Sequence, residues 1–142
     1  MIAAVPAVVA VWAVAVVVRA VTSDYPLGGG PEKVPCAEAL AFGGARLPDG
    51  AYETDCTVRA WQDTYYGARF RMPRADVGAW LRNTYPAGPG PTTELCDDGA
   101  DFCVNMSTDG TVPPGIDADA VQIDVTYEDP ATAYVTFGAF TV

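Results

Sequence analysis

Polar and apolar positions alternate in two different ways along this chain. Residues 2–18 hold no charged or polar side chain, and Arg19, Ala20 and Val21 follow. An unbroken apolar run of this kind has no wet face. At 1.5 Å per residue it covers about 25 Å, just under a bilayer's hydrocarbon thickness of about 30 Å. Ala20 and Val21 bring it close to a full span, with Arg19 reaching the headgroups. A buried core helix would need a larger protein around it.

Beyond residue 35 the pattern changes to short periods. Tyr52, Thr54, Cys56 and Val58 alternate with Glu53, Asp55, Thr57 and Arg59, which marks a strand with one wet face. Residues 68–72 (ARFRM) alternate as cleanly. The stretch between them, residues 61–67, serves as a hairpin loop or extends both strands. Residues 74–85 switch to helical spacing, with Val77, Trp80, Leu81 and Tyr85 on one stripe and Pro86 as the stop. This helix is expected to lie across the sheet through Trp80 and Leu81. Residues 102–107 read as a short strand. Val121, Ile123, Val125 and Tyr127 define another, and Val135, Phe137 and Ala139 mark the last, within residues 133–141. A short helical turn over residues 36–45 stops at Gly43 and Gly44. The expected fold class is α+β: an N-terminal transmembrane helix, then one antiparallel sheet of about five strands with a single packed helix.

The organisation follows from these breaks. Residues 1–21 are expected to be a membrane anchor. Residues 22–35 (TSDYPLGGGPEKVP) form a Gly/Pro-rich linker, and residues 36–142 form one domain. The competing reading of the apolar run is a cleaved signal peptide. That would need a basic start and a small-x-small cleavage site. MIAAVPAVVA has no basic residue, and Ala20-Val21-Thr22 is a poor site. A lipobox is missing as well, because Cys36 follows Val34 and Pro35. An uncleaved single-pass anchor is therefore expected, with the domain outside the cytoplasm. Orientation carries a conflict. Arg19 and Lys33 lie after the span, and the positive-inside rule would place the domain in the cytoplasm. A basic leader upstream of residue 1 would resolve it.

Cysteine use points outward. Cys36, Cys56, Cys96 and Cys103 all lie in the domain, and an even count behind an export-like segment implies two disulfides. Three pairings exist. The local one, Cys36 with Cys56 and Cys96 with Cys103, is expected. It would contribute about 3 and about 2.5 kcal/mol through loop-closure entropy. Zinc needs cysteines two to four residues apart, and these spacings fit badly.

Charge narrows the chemistry. The 142 residues carry a formal net charge of −10 and no histidine. Without histidine no Ser-His-Asp or Cys-His nucleophilic site exists. An acidic chain is a poor match for phosphate, so no nucleic-acid partner is expected. Residues 36–82 balance six acids with six arginines, whereas residues 83–142 hold ten acids and no base.

Four groups of residues invite a functional reading. Glu94, Asp97, Asp98 and Asp101 lie in and beside the Cys96–Cys103 loop, where their oxygens could hold Ca²⁺, although the spacing matches no EF-hand. Solvated surface acids are the bland account. Glu53 with Asp55, and more loosely Asp124 with Glu128, share strand faces expected to be exposed. They would serve a small carboxylate-based envelope enzyme, the alternative function, but a domain of this size has little depth for a water-excluding cleft. The third group is Arg59, Arg69 and Arg71 on outward strand positions beside Trp61, Tyr65 and Tyr66. Arginine and aromatic side chains anchor interfaces and suit anionic glycans. Cross-strand salt bridging to Glu53, Asp55 and Asp63 is the structural alternative. The fourth group is the cysteines themselves. A non-catalytic binding module at the cell envelope is the expected role, with no cofactor, the membrane as one partner and an envelope protein or glycan as another. A Ca²⁺-stabilised structural module is a further alternative.

The run ARFRMPRADVGAWLRNTYP, residues 68–86, resembles uncharacterised membrane-anchored or secreted proteins of actinobacteria, as does the Arg-over-Lys, Ala/Val/Gly-rich usage. That resemblance implies a location at the outer face of a membrane and no particular activity.

Overall fold

The computed structural model describes residues 4–25 and 28–142. Residues 1–3 of the expected anchor and 26–27 of the expected linker lie outside the described residues. The chain divides into two units, residues 1–30 and 31–142. In the first, helix α1 runs Ala4–Thr22. Its span from Val5 to Thr22 is long and apolar enough to cross a membrane, and none of it is buried in protein. Thr22 closes it by donating its hydroxyl to the carbonyl of Val18 at 2.7 Å.

The second unit is an α+β domain built on one antiparallel sheet. In chain order its elements are β1 (Glu32–Lys33), α2 (Cys36–Phe42), β2 (Tyr52–Ala60), β3 (Thr64–Pro73), a 3₁₀ turn at Arg74–Asp76, α3 (Val77–Thr84), β4 (Phe102–Met106), β5 (Ala120–Tyr127) and β6 (Thr132–Phe140). The sheet order is β1-β2-β3-β6-β5-β4. Six strands stand where alternation predicts about five. The extra one, β1, comes from the segment read as linker: Glu32 pairs with Val58 and Lys33 with Thr57. Two polar residues between Pro31 and Val34 carry no periodicity, so only the edge of β2 makes them a strand. β6 enters between β3 and β5, which makes the two longest apolar alternations neighbours at the centre.

The sheet buries one face. Phe70 and Met72 of β3, Val135 and Phe137 of β6, and Val121, Ile123 and Val125 of β5 are fully or almost fully buried there. Each such side chain removed from water contributes about 1.5–3 kcal/mol. α2 caps this face through Ala39 and Leu40, and α3 through Val77 and Leu81. Trp80, expected to share the packing, reaches the core by its edge. Its ring meets Phe70 in a T-shaped contact with centroids 5.7 Å apart, and its Nε1–H donates to the Arg46 carbonyl at 2.9 Å. Close approach of α2 requires Gly43. A Cβ there would stand 2.6 Å from Phe137 Cζ and 2.9 Å from Ala139 Cβ. Tyr85, just past α3, donates its buried hydroxyl to the Gly43 carbonyl at 2.6 Å and so ties the two helices together.

Both disulfides brace this arrangement. Cys36 at the start of α2 is bonded to Cys56 on β2, and Cys96 to Cys103 on β4. Among the described residues no cysteine is free.

Candidate functional site

The opposite face of the sheet carries no helix among the described residues of this unit. β2 and β3 pair with Asp55 opposite Arg69 and Arg59 opposite Tyr65, so these side chains share that face. Strand alternation adds Arg71 from β3, and Tyr134, Thr136 and Phe140 from the neighbouring β6. Trp61 sits on the three-residue turn joining β2 to β3 and is 82% exposed. Tyr66 does not belong with them. It follows Tyr65 directly and therefore points to the packed face, where its ring meets Phe42 of α2 at 4.7 Å and its hydroxyl donates to Glu38 at 3.0 Å.

Neighbouring carboxylates separate the three arginines. Arg71 is committed to the fold. Its Nε and Nη2 donate to the two oxygens of Glu128 at 2.7 and 3.2 Å, and its Nη1 donates to Glu53 at 2.5 Å. Its hydrogen bond to Glu128, reinforced by the charges of Glu128 and Glu53, raises its pKa above the usual arginine value. Glu53 reaches this position from a bulge, where its own φ is +50° and the β2–β3 register shifts. Arg69 stands 3.8 Å from Asp55, and Lys33 of β1 pairs with the same carboxylate. Asp55 therefore titrates below the usual aspartate range, chiefly through its hydrogen bond from Lys33. A general acid needs the opposite shift. The two carboxylates of the alternative enzyme reading, Glu53 and Asp55, are thus both ion-paired. Arg59 is the exception. It has no carboxylate within ion-pair distance among the described residues, and its guanidinium lies 5.7 Å from the centroid of the Tyr65 ring.

Tyr65 lies flat because the sheet beneath it is bare. A Cβ on Gly138 would meet its hydroxyl at 2.6 Å. The ring stacks on Phe140, with centroids 5.9 Å apart, and is itself 37% exposed. Beside it is a polar hollow of about 100 Å³ bounded by Asp97, Gln122, Asp124 and Thr136. Burial raises the Tyr65 pKa, and the charges of Asp97 and then Asp124 add to that while Arg59 opposes it.

Asp124 departs from its expected exposure. Alternation places it on the outward face, but the Cys96–Cys103 loop folds over it and leaves it 5% exposed. The backbone N–H of Asp97 donates to its Oδ1 at 2.8 Å and Gln122 Nε2 donates to its Oδ2 at 2.9 Å. Each oxygen of this buried carboxylate therefore has a hydrogen-bond donor. Its expected partner on this strand face, Glu128, is the one bound to Arg71.

The loop acids read as possible Ca²⁺ ligands have separate duties. Asp97 accepts from Gln122 Nε2 at 3.4 Å, and Asp101 accepts the Tyr127 backbone N–H at 2.6 Å. Asp98 and Glu94 are exposed. Among the described residues the one group of three ligand atoms lying together is Cys96, Cys103 and Asp124, and its two sulfurs are bonded to each other.

The open face therefore presents Arg59, Tyr65, Trp61 and the less tightly paired Arg69. Phe140, Thr136, Gln122 and the glycine under Tyr65 belong to the same surface and escape a sequence reading. Their strands are separated from β3 in sequence, and only the insertion of β6 beside β3 joins them. The lone signal is glycine at 138 inside an apolar alternation, a mark of close approach by another group. Comparison of the chain with protein-family models, curated proteins and solved structures finds no match.

Proposed function

We propose that this chain is a non-catalytic recognition module of the cell envelope, held by α1 as an uncleaved single-pass anchor with residues 36–142 outside the cytoplasm. Its open sheet face binds an envelope protein or an anionic glycan. One observation carries the binding reading: Arg59 stands over Tyr65, on the strand leading to exposed Trp61, with no carboxylate within ion-pair distance among the described residues. Arginine and aromatic side chains at a desolvatable centre supply most of the energy of a typical interface. An unpaired guanidinium offers a carboxylate or phosphate two parallel hydrogen bonds.

Support for the location comes from two sources. α1 is of membrane-crossing length, and all four cysteines are paired, as in exported proteins. Arg19 and Lys33, the basic residues nearest the span, oppose this orientation.

A photoreactive phenylalanine analogue in place of Trp61, in the full chain in its own membranes, tests the binding reading. The expected result is a discrete adduct that Arg59→Ala abolishes and that the same analogue at Asp109 does not form. Protease sensitivity of the partner moiety identifies a protein, and periodate sensitivity a glycan. Equal, diffuse labelling from both positions would overturn the reading.

A further inference from the structure

On the helix-covered side of the sheet, away from the Arg59 surface, a groove of about 820 Å³ runs between α3, the residue 86–93 segment and β4 with the end of β5. That volume lies within the usual range of small-molecule sites, about 300–1,000 Å³. It exists because the helices are short. α3 has eight residues and ends before Pro86, while the sheet is six strands wide. The β4 side of the packed face is left to a loop. Leu81, Phe102, Val104 and Tyr127 make the walls apolar. Pro86, Pro89 and Pro91, with Gly88 and Gly90 between them, line the loop side of the groove.

Arg82 is the one charged side chain in the lining. Gly78 lies one turn before it on α3. A Cβ there would stand 3.1 Å from Arg82 Nη1, so the glycine leaves room for the guanidinium to fold back along the groove wall. No carboxylate lies within ion-pair distance of Arg82 among the described residues, although residues 83–142 carry ten acids. The complement of this site is an apolar body with one anionic end.

Hydrogen-bonding capacity decides what kind of body. The Tyr85 hydroxyl already donates to Gly43, and the Thr92 backbone N–H and carbonyl are both paired with Cys103. A peptide brings an N–H and a carbonyl with every residue, whereas the groups named here are already taken. An acyl chain has no such groups, and every CH₂ it lays against these walls leaves water. We infer that this groove binds a long-chain carboxylate, with its chain against Leu81, Phe102 and Tyr127 and its carboxylate on Arg82.

The test uses the full chain in phosphatidylcholine nanodiscs with hexadecanoic acid carrying a mid-chain diazirine. Irradiation is followed by peptide mass spectrometry, with labelling of α1 as the internal reference. The expected result is labelling of the peptides holding residues 81–93 and 102–104, suppressed by unlabelled hexadecanoate. Arg82→Gln should reduce the ratio of groove to α1 labelling about tenfold, through loss of a charge-assisted pair. Arg82→Lys should retain most of it and so separate loss of charge from loss of fold. The methyl ester of the probe should label the groove as weakly as Arg82→Gln does with the acid. Labelling confined to α1, or groove labelling indifferent to Arg82→Gln, would overturn the proposal. So would equal labelling by a phosphatidylcholine bearing the same diazirine, since that is contact with a lipid surface and not capture of an acid.

Discussion

Whether an arginine on a strand braces the sheet or meets a partner depends on which carboxylates its register brings alongside. Arg71 lies between Glu53 and Glu128, and Arg59 lies over an aromatic ring. Arg59→Ala is expected to leave the melting temperature unchanged, and Arg71→Ala to lower it, in parallel scanning calorimetry. The contrast is invisible in sequence, because Glu128 is far from Arg71 along the chain and arrives through the pairing of β6 with β3. That Tyr65 and Tyr66 part company is legible, since adjacent strand residues point to opposite faces. Gly43 is a second residue whose role is steric. Gly43→Ala forces its new methyl against Phe137 and Ala139 and is expected to cost about 1–3 kcal/mol in chemical denaturation, as overpacking of a filled core does.

Elements came through the sequence unequally. β3, β5 and β6 bury alternate residues against a common core, so a period of two announces them, whereas β2 shows the same period but buries only Cys56. β1 has two polar residues, and its strand state rests on hydrogen bonding to the edge of β2. The helix over residues 74–85 begins as a 3₁₀ turn and becomes α-helical at Val77, a distinction that hydrophobic spacing does not encode. Between elements, the turns hold ionised aspartates. The Thr111 hydroxyl and backbone N–H donate to Asp109, and the Ala131 N–H donates to Asp129, each lowering the carboxyl pKa. A lowered folded-state pKa contributes stability that is present above the unfolded value, about 3.9, and is lost as pH falls through the folded value. Buried Tyr85 acts at the other end. Its raised pKa contributes stability below the unfolded value, about 10, that is lost as pH rises past it. Thermal circular dichroism is expected to show a plateau between these limits with a fall on both sides, and Asp109→Asn should flatten the acid limb. Double replacement of Cys36 and Cys56 by alanine is expected to cost about 3 kcal/mol, more than the same change at Cys96 and Cys103, because it frees the longer loop.

For the whole molecule, charge and redox state set the expectations. Ten acids without a base in residues 83–142 repel one another, so added salt is expected to raise the melting temperature by screening them. The α+β class and the apolar segment were readable from pattern alone. The open face as a surface was not, because it is assembled from strands that meet only in the folded sheet. Its proposed role requires the domain to be oxidised and retained at the membrane. The direct measurement is an intact mass of the protein extracted from membranes after alkylation without reduction. A retained apolar N-terminus with no alkylated cysteine is the predicted result. Four alkylated cysteines would place the domain in the cytoplasm, and loss of the apolar segment would replace the anchor by a cleaved signal. Either would contradict the account.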